Sequence, residues 1–254
     1  MIINRRKYQY YSLVILFILF ITLPLENEDA YSDTMRTIVF SGYTWYVKNS
    51  KSRIGPGPNY FSDSTDAVWV DEQGRLHLTI KKDKNRWYCT EVFTQRFLGY
   101  GEYTFVLSSP LDTLDKYVVL GLFIWDETAP EYNYREIDIE FSRWGIADGP
   151  NTQYSVQPWE VNGNHKKFTL KFDKKYSKHQ FLWNPNKVQF ISQEGDSNLE
   201  TALKTTASWE YMGTDIPLNG NVQARINLWL MKGRAPTEQK NIEVVIDSFT
   251  YIPY

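Results

Sequence analysis

The sequence predicts an all-β protein, either a β-sandwich or a barrel, on the strength of three observations. Apolar residues alternate with polar ones along many short segments, which is typical of half-buried strands. Clusters of Gly, Asn and Pro separate these segments and predict turns. No segment carries an apolar stripe at helical spacing over three turns. Many short strands with regular turns between them are typical of sandwiches and barrels.

The strand segments follow in chain order. Alternation predicts half-buried strands at 76–80, 103–107, 168–172 and 242–246, and turn signals lie at 72–74, 162–164, 184–186 and 219–221. The segment 117–125 is almost continuously apolar and predicts a strand buried on both faces. Since no repeat or long linker interrupts the remainder, we expect a single domain over residues 31–254.

The N-terminal residues, 1–30, read as an export signal rather than as part of the fold. Basic residues at 5–7 precede an apolar run at 10–25, and the chain then turns polar. The run is shorter than the roughly 20 residues that span a bilayer. A cleaved signal peptide and an uncleaved membrane anchor both fit this layout. In either case we expect the domain to be secreted or held at the cell envelope, with membrane contact only through this segment.

Composition excludes several classes of function. The 28 basic and 30 acidic residues give a net charge of -2, which argues against nucleic-acid binding. One cysteine excludes a disulfide framework and a multi-cysteine zinc site, and the three histidines are too scattered for a zinc site. We expect a monomer. The aromatic content of 16% is high and needs an explanation, in the core or in a binding site.

The segment 135–141, Arg-Glu-Ile-Asp-Ile-Glu-Phe, is the most informative in the chain. On a strand its apolar residues face one side and Glu136, Asp138 and Glu140 face the other. Like charges this close raise each other's proton affinity, so at least one carboxyl should hold a proton near neutral pH. A carboxylate beside a carboxylic acid is what glycoside hydrolysis requires. The alternative is an ordinary amphipathic strand with an acidic solvent face.

Aromatic residues flank this acidic segment and favour the catalytic interpretation. Rings with polar groups nearby form surfaces on which sugars stack, although each ring could equally pack in the core. The flanking rings are Trp125, Tyr132, Tyr134, Trp144 and Trp159.

On these residues the sequence resembles glycoside hydrolase family 16, the β-glucanase or lichenase-like jelly rolls. The segment 136–140, Glu-Ile-Asp-Ile-Glu, resembles the signature strand of that family, and supporting matches occur in order at 89–91, 98–103, 179–183 and 226–229. The resemblance implies a two-sheet β-sandwich of jelly-roll type with a concave substrate-binding face. It also implies hydrolysis of internal β-glycosidic bonds of a polysaccharide, with a β-glucan as the expected substrate, by a retaining double displacement.

The resemblance also assigns roles. It implies that Glu136 is the nucleophile, that Glu140 is the general acid and base, and that Asp138 between them tunes the nucleophile by hydrogen bonding. Residues four apart on a strand have Cα atoms about 13 Å from each other. Retaining enzymes hold the two carboxyl groups themselves about 5–5.5 Å apart. The residues expected to line the substrate cleft are Glu91, Trp125, Tyr134, Gln157, Trp159, Asn227 and Trp229.

Departures from the family pattern leave the substrate open. Tyr134 stands where the lichenase pattern has Trp, and Phe93 stands where it has Arg. A non-catalytic carbohydrate-binding jelly roll and a transglycosylase that uses the same carboxyls therefore remain alternatives. Gln153, Ser155 and Gln157 share one face of a predicted strand, which is either a polar subsite or an edge strand with solvated amides.

We expect no cofactor to be required for catalysis. Some members of the family carry a structural calcium ion, and Asp247 matches the position of its carboxylate ligand, with Gly74 at a backbone-carbonyl position. Calcium takes oxygen ligands, so this chemistry is available. A carboxylate in an ordinary hairpin is the alternative for Asp247.

Overall fold

The computed structural model describes residues 35–174, 176–196 and 203–254. The predicted export segment, residues 1–30, lies outside the described residues. Residues 35–254 form one compact unit. None of the helical turns in the described ranges is long and apolar enough to span a membrane.

The strands form two sheets that pack face to face. The front sheet has the order β11-β10-β9-β8-β15-β6-β2-β1, with antiparallel neighbours throughout. A short strand, β3 (Tyr60–Phe61), runs parallel to β6 beside it. The strands of the front sheet are β1 (Thr37–Phe40), β2 (Tyr43–Val47), β6 (Arg86–Thr94), β8 (Val118–Trp125), β9 (Ile137–Phe141), β10 (Thr152–Val156), β11 (His165–Phe168) and β15 (Gln223–Leu230).

The back sheet has the order β4-β5-β16-β7-β12-β13-β14, again antiparallel. The hairpin β5–β6 continues from one sheet into the other, pairing Lys81–Asp83 with Arg86–Tyr88. The strands of the back sheet are β4 (Val68–Val70), β5 (Leu76–Asp83), β7 (Gly101–Leu107), β12 (Tyr176–Asn184), β13 (Lys187–Gly195), β14 (Lys204–Tyr211) and β16 (Ile242–Pro253).

Aromatic side chains fill the space between the sheets. Tyr154 of the front sheet stacks on Phe190 of the back sheet with ring centroids 4.9 Å apart. Trp45 of the front sheet meets Phe249 of the back sheet edge to face at 5.2 Å. Such contacts add to the burial free energy of large rings. Much of the aromatic content of the sequence is therefore core.

The predicted fold class is confirmed: the protein is a two-sheet β-sandwich. The strands predicted at 76–80, 103–107 and 242–246 lie within β5, β7 and β16, and the predicted turns fall between strands. The strand predicted at 168–172 was placed too late, because pairing with β10 ends at Phe168 and residues 169–172 leave the sheet. The continuously apolar segment 117–125 forms β8, which is buried between β9 and β15 as its composition predicts.

The core sets the register of the front sheet. Ile137, Ile139 and Phe141 of β9 are buried against the back sheet, with exposed fractions of 0%, 0% and 1%. Because strand side chains alternate, the intervening residues of β9 must point to the opposite face of the sheet. We call that opposite, outer face of the front sheet the site face.

The aromatic core predicts a large loss of stability when one ring is removed. Phe181 is fully buried and stacks on Tyr103 at 4.8 Å. We expect Phe181→Ala to lower the free energy of unfolding by about 3–5 kcal/mol because it leaves a cavity. Thermal unfolding followed by circular dichroism measures the change. As a control, Phe97→Ala, at a side chain that is 55% exposed, should stay within about 0.5 kcal/mol of wild type. Equal effects of the two substitutions would contradict the packing described.

Candidate active site

Three carboxyl groups meet on the site face along β9. Asp138 and Glu140 point away from the core that holds Ile137 and Ile139, and Glu136 precedes the strand by one residue on the same side. The side chains of Glu136 and Asp138 are hydrogen-bonded to each other. Asp138 is buried, with an exposed fraction of 3%, whereas Glu136 and Glu140 are half-buried. The structure thus brings the three predicted acids together, with the central one covered.

The neighbouring strand β10 supplies a polar network to these carboxyls. Gln157 donates from Nε2 to Asp138 Oδ2 at 3.1 Å, and the hydroxyl of Ser155 donates to the same oxygen at 3.3 Å. Gln153 donates from Nε2 to Glu140 Oε2 at 3.3 Å. β10 lies between β9 and β11, so the interpretation as an edge strand with solvated amides is wrong. These amides orient the acids instead.

Burial raises the proton affinity of all three acids. Burial raises the pKa of Glu136 well above its ordinary value, the charge of Asp138 adds to this, and Arg225 acts in the opposite direction. Burial raises the pKa of Asp138 to about 6, against the hydrogen bonds it accepts. Burial and the charge of Asp138 raise the pKa of Glu140, which Lys167 opposes. The cluster therefore carries protons near neutral pH, as like charges at short range require.

A glycine opens the sheet beside Glu140. Gly121 of β8 is the cross-strand partner of Glu140 on one side and of Asn227 on the other. A Cβ atom at Gly121 would lie 2.5 Å from Asn227 Oδ1, so a larger residue would displace that amide. Asn227 is buried, and its Oδ1 accepts no hydrogen bond within the described residues. An acceptor buried without a partner is costly unless a ligand satisfies it.

Arg225 of β15 lies on the site face and is not among the site residues predicted from the sequence. Its guanidinium donates to Glu91 Oε1 at 3.1 Å and to Glu127 Oε2 at 3.3 Å, and lies 4.7 Å above the ring of Phe93. Glu91 also accepts from Lys48 Nζ at 2.9 Å. Burial acts to raise the pKa of Glu91, but the charges of Lys48 and Arg225 hold it below its ordinary value.

This arrangement changes the interpretation of two predicted positions. Glu91 is 1% exposed and serves as the counterion of Arg225, so it lies beneath the surface that it was expected to line. Arg225 pairs with Phe93 across β15 and β6. Arg225 thus brings a positive charge next to Phe93, the position at which the lichenase pattern has an arginine. Its place two residues before Asn227 was the available signal, since residues two apart share a face.

Trp125 and Tyr134 form a stacked pair beside Glu136, at the start of the acid strand, the name used here for residues 136–141, which comprise Glu136 and β9. Their ring centroids are 3.9 Å apart with planes 11° from parallel. Tyr134 has a φ of 54°, and Asn133 and Arg135 have φ values of 50° and 54°. Left-handed backbone is costly for such residues and persists only where surrounding contacts hold it. This turn therefore fixes the position of Glu136 at the start of the strand.

Asp126 ties that turn to the loop before β15. It is 2% exposed and accepts from Arg135 Nε at 3.1 Å and from the Asn221 amide at 3.1 Å. Arg135 also donates to the Leu218 carbonyl at 2.9 Å. A Cβ atom at Gly220 would lie 2.3 Å from Arg135 Nε, so a larger residue there would displace the Arg135 side chain. No sequence motif points to these residues.

A second aromatic pair lies at the other end of the acid strand. Trp144 meets Trp229 edge to face, with centroids 6.5 Å apart. Trp144 has a φ of 51°, again a left-handed conformation at a bulky residue. Both rings are half-buried. Trp125 with Tyr134 and Trp144 with Trp229 therefore bracket the acid strand at its two ends.

Trp159 lies outside these pairs. It follows Gln157 in the loop after β10, and its backbone amide donates to Gln157 Oε1 at 2.9 Å. Its ring is 44% exposed and approaches His165 edge to face at 6.0 Å. Trp159 is thus a surface ring beside the carboxyl network, and it packs against neither aromatic pair.

Cys89 and His179 do not reach the site. Both are fully buried. Burial raises the pKa of the Cys89 thiol to about 12 and lowers the pKa of His179 to about 3. His179 Nδ1 lies 2.7 Å from the Ser192 hydroxyl in the interior. Both groups therefore pack in the interior and take no part in the site.

The position expected to bind calcium provides one carboxylate. Asp247 lies at a β-bulge of β16, where the register with β7 shifts between Ile246 and Ser248, so it does not lie in a hairpin turn. Its charge interacts with Arg75, which follows Gly74. No group of three metal-ligating side chains occurs within the described ranges. The oxygen of Asp247 suits calcium, but an ion there would take its other ligands from the backbone or from water.

Solved structures match the fold of this protein, although no sequence family does. No family model and no curated protein matches the sequence. The β-glucanase of Bacillus licheniformis matches with a TM-score of 0.63 at 20% identity, over 83% of this chain and 92% of that one. The laminarinase of Flavobacterium sp. UMI-01 matches with a TM-score of 0.59 at 14% identity, over 82% and 92%.

A third solved structure has the same fold under a different description. It is an immunostimulatory antigen and pseudo β-1,3-glucanase of Mycobacterium tuberculosis, with a TM-score of 0.59 at 17% identity over 83% of this chain and 91% of that one. At these identities the likeness establishes the fold alone. The resemblance found in the sequence is confirmed at that level: the chain has the jelly-roll fold of β-glucanases and laminarinases.

Proposed function

We propose that this protein is an exported glycoside hydrolase that cleaves internal β-glycosidic bonds of a polysaccharide with retention of configuration, a β-glucan being the first substrate to test. The observation that carries the proposal is the cluster Glu136, Asp138 and Glu140 on one face of β9. The apolar run at residues 10–25 supports export. The glucanase-like fold supports the substrate class.

In this mechanism Glu140 is the general acid. It must be protonated when the leaving-group oxygen departs, and its raised pKa keeps the proton available near neutral pH. Gln153 donates to one oxygen of Glu140 and thereby fixes which oxygen carries the proton. After the first step Glu140 has lost that proton and can accept one from the attacking water.

Glu136 is the nucleophile and must be ionised to attack. It shares a hydrogen bond with Asp138, so only one of the two needs to be charged at a time. When the proton resides on Asp138, the negative charge lies on Glu136, next to the sugar. Gln157 and Ser155 hold Asp138 in place. Arg225 favours the charged form of Glu136.

The aromatic pairs support cleavage within a chain. One pair lies before Glu136 and the other beyond Glu140, so rings are available to sugars on both sides of the reacting bond. The buried acceptor of Asn227 beside Glu140 adds a site for a sugar hydroxyl.

Two alternatives share this scaffold. A non-catalytic carbohydrate-binding protein is favoured by the departures at Phe93 and Tyr134, and one structural neighbour is described as a pseudo-glucanase. A buried cluster of acids is costly to keep in a protein that only binds neutral sugars. A transglycosylase would use the same acids, and longer products formed with an added oligosaccharide acceptor would identify it.

Substitution of the two glutamates should separate their roles. We expect Glu136→Gln to lower kcat on a soluble β-glucan by at least ~10⁴-fold, because no covalent intermediate can form. We expect Glu140→Gln to lower kcat by about 10²–10⁴-fold on the glucan. The loss should be much smaller on an aryl glycoside whose leaving group needs no proton. Reducing-sugar and aryl-release assays measure both.

The matched control for these substitutions is Glu72→Gln, an exposed glutamate in a turn of the back sheet, which should retain wild-type kcat. Thermal unfolding of each variant shows whether the fold is intact. Substantial hydrolysis by a folded Glu136→Gln variant is the result that would exclude this mechanism.

The protonated acids also predict how stability depends on pH. The raised pKa of Glu140 means that it contributes stability below the pKa of the unfolded chain, and this stability is lost as pH rises through the folded pKa. Glu140→Gln cannot ionise, so its melting temperature should exceed that of wild type at pH 8, by about 2–4 °C for each kcal/mol relieved. The difference should shrink towards pH 4.5. For Glu72→Gln, the difference in melting temperature from wild type should not change with pH. The same constant difference for Glu140→Gln would refute the raised pKa of Glu140.

We also propose that calcium, where it binds, does so at Asp247 and acts on stability and not on chemistry. Adding calcium to chelator-treated protein should raise the melting temperature, because a ligand that binds only the folded state stabilises it. Asp247→Asn should abolish the rise. A rise of the same size in both proteins would rule out Asp247 as the ligand.

A further inference from the structure

The two ends of the acid strand differ in charge. At the Trp125 end, the indole of Trp125 is hydrogen-bonded to a carboxylate: its Nε1 donates to Glu127 Oε2 at 2.9 Å. The Glu127 side chain is 72% exposed. The cations placed at that end are already paired: Arg225 is 9% exposed and has Glu91 and Glu127 as partners, and Arg135 has Asp126. These arginines therefore offer no free positive charge at that end.

At the Trp144 end, cations lie above aromatic rings. Lys167 Nζ is 5.5 Å from the centre of the Trp144 ring. Lys116 Nζ and the Arg234 guanidinium are 5.2 Å and 4.8 Å from the centre of the Tyr117 ring. Cations over ring faces are held in place while their outer N–H groups stay free to donate.

The two rings belong to one surface. Gly145, next to Trp144, donates its backbone amide to the Lys116 carbonyl at 2.7 Å. A Cβ atom at Gly145 would lie 3.2 Å from the Tyr117 ring, so the loop after β9 packs directly on that ring. We call Lys116, Lys167 and Arg234 the cation cluster.

Among the described residues, no carboxylate lies within ion-pair distance of this cluster. The ion pairs found among residues 35–174, 176–196 and 203–254 include none of its three members. Asp115 is adjacent in sequence, but its oxygens accept the backbone amides of Tyr117 and Thr237 at 2.9 Å and 2.8 Å. Lys167 and Arg234 are exposed and Lys116 is half-buried, so all three can meet a ligand.

The cation cluster lies within reach of a chain bound at the acids. Lys167 is in register with Gln153, which is in register with Glu140. Two strand spacings separate Lys167 from Glu140, or about 10 Å. Trp229 is one same-face step along β15 from Asn227, about 7 Å at ~3.3 Å per residue. A polysaccharide that extends from Glu140 towards Trp144 would therefore pass the cation cluster.

We propose that the Trp144 end of the site face is a subsite for an anionic group, a sulfate ester or a carboxylate, carried by the polysaccharide. The inference rests on the proposed function, because it takes Glu136 and Glu140 as the reacting centre. The Trp144 and Trp229 rings contact the sugar face, and the cation cluster pairs with its charge. The protons held by the acid cluster reduce its repulsion of such a chain.

Binding to matched polysaccharides tests the proposal. The full chain carrying Glu136→Gln, which leaves substrate intact, is run in affinity gels that contain neutral β-1,3- or β-1,4-glucans or their carboxymethylated and sulfated derivatives. We expect roughly 10-fold tighter binding of the anionic forms at low ionic strength, since exposed ion contacts contribute a few-fold each. Added salt should remove the difference. The carboxymethylated and sulfated arms distinguish the two sources of charge.

Two triple variants test whether the preference for anionic chains depends on the cation cluster. Replacing Lys116, Lys167 and Arg234 by Gln should bring the ratio of anionic to neutral binding towards one. The control replaces Lys178, Lys187 and Lys204 of the back sheet by Gln, which removes the same net charge and should leave the ratio unchanged. Thermal unfolding confirms that each variant is folded.

Equal binding of neutral and anionic chains, or equal loss in both triple variants, overturns the subsite. Failure to bind either anionic form overturns it as well, even if wild type hydrolyses a neutral glucan. Conversely, site-specific binding of anionic chains without hydrolysis of any of them by wild type would uphold the subsite and defeat the proposed function.

Discussion

The structure depends on the close placement of three carboxyl groups on the outer face of the front sheet, opposite the hydrophobic core. β9 presents Ile137, Ile139 and Phe141 to the interior and the acids to the site face, so the register that completes the core also gathers the acids. Slipping this strand by one residue would bury the acids in the core and expose the isoleucines. The hydrophobic effect thus maintains an electrostatic arrangement that is unfavourable by itself.

The surroundings of the acids offset that unfavourable arrangement without neutralising it. Gln157 and Ser155 donate to Asp138, while Arg225 acts on Glu136 and Lys167 on Glu140. These donors and cations come from strands on both sides of β9. The acids consequently share protons rather than losing them, which is the condition that acid and nucleophile chemistry at neutral pH requires.

The ends of the acid strand show where the backbone is under strain. Tyr134 and Trp144 both have left-handed φ values, and each contacts a tryptophan of the front sheet, on β8 and β15 respectively. The contact of Asp126 with Arg135 holds the first turn from beneath. Such conformations persist only where tertiary contacts over-determine them, and they concentrate at functional sites. The two ends differ in charge, with the Glu127 carboxylate at the Trp125 end and Lys167 above the ring at the Trp144 end.

Local patterns in the sequence were enough to predict the sandwich, the acid strand and its two faces. Period-two alternation reports which side of a strand is buried, and turn residues report where strands end. The strand predicted at 168–172 is displaced in the structure, because sheet pairing, not hydrophobicity, ends β11 at Phe168. The position of β10 in the sheet does not follow from local patterns either, since the neighbours of a strand are set by long-range hydrogen bonds.

The tertiary structure alone decided which side chains act on the acids. Arg225 lies 134 residues from Glu91 in the chain, and the Asp126 contact with Asn221 spans 95 residues. No short window of sequence contains such pairs. The alternation by itself determined that three carboxyls share a face, because that follows from the geometry of a single strand. Whether those carboxyls hold protons, and which charges lie beside each of them, depends on burial and on neighbouring strands, and only the packed sheets supply both.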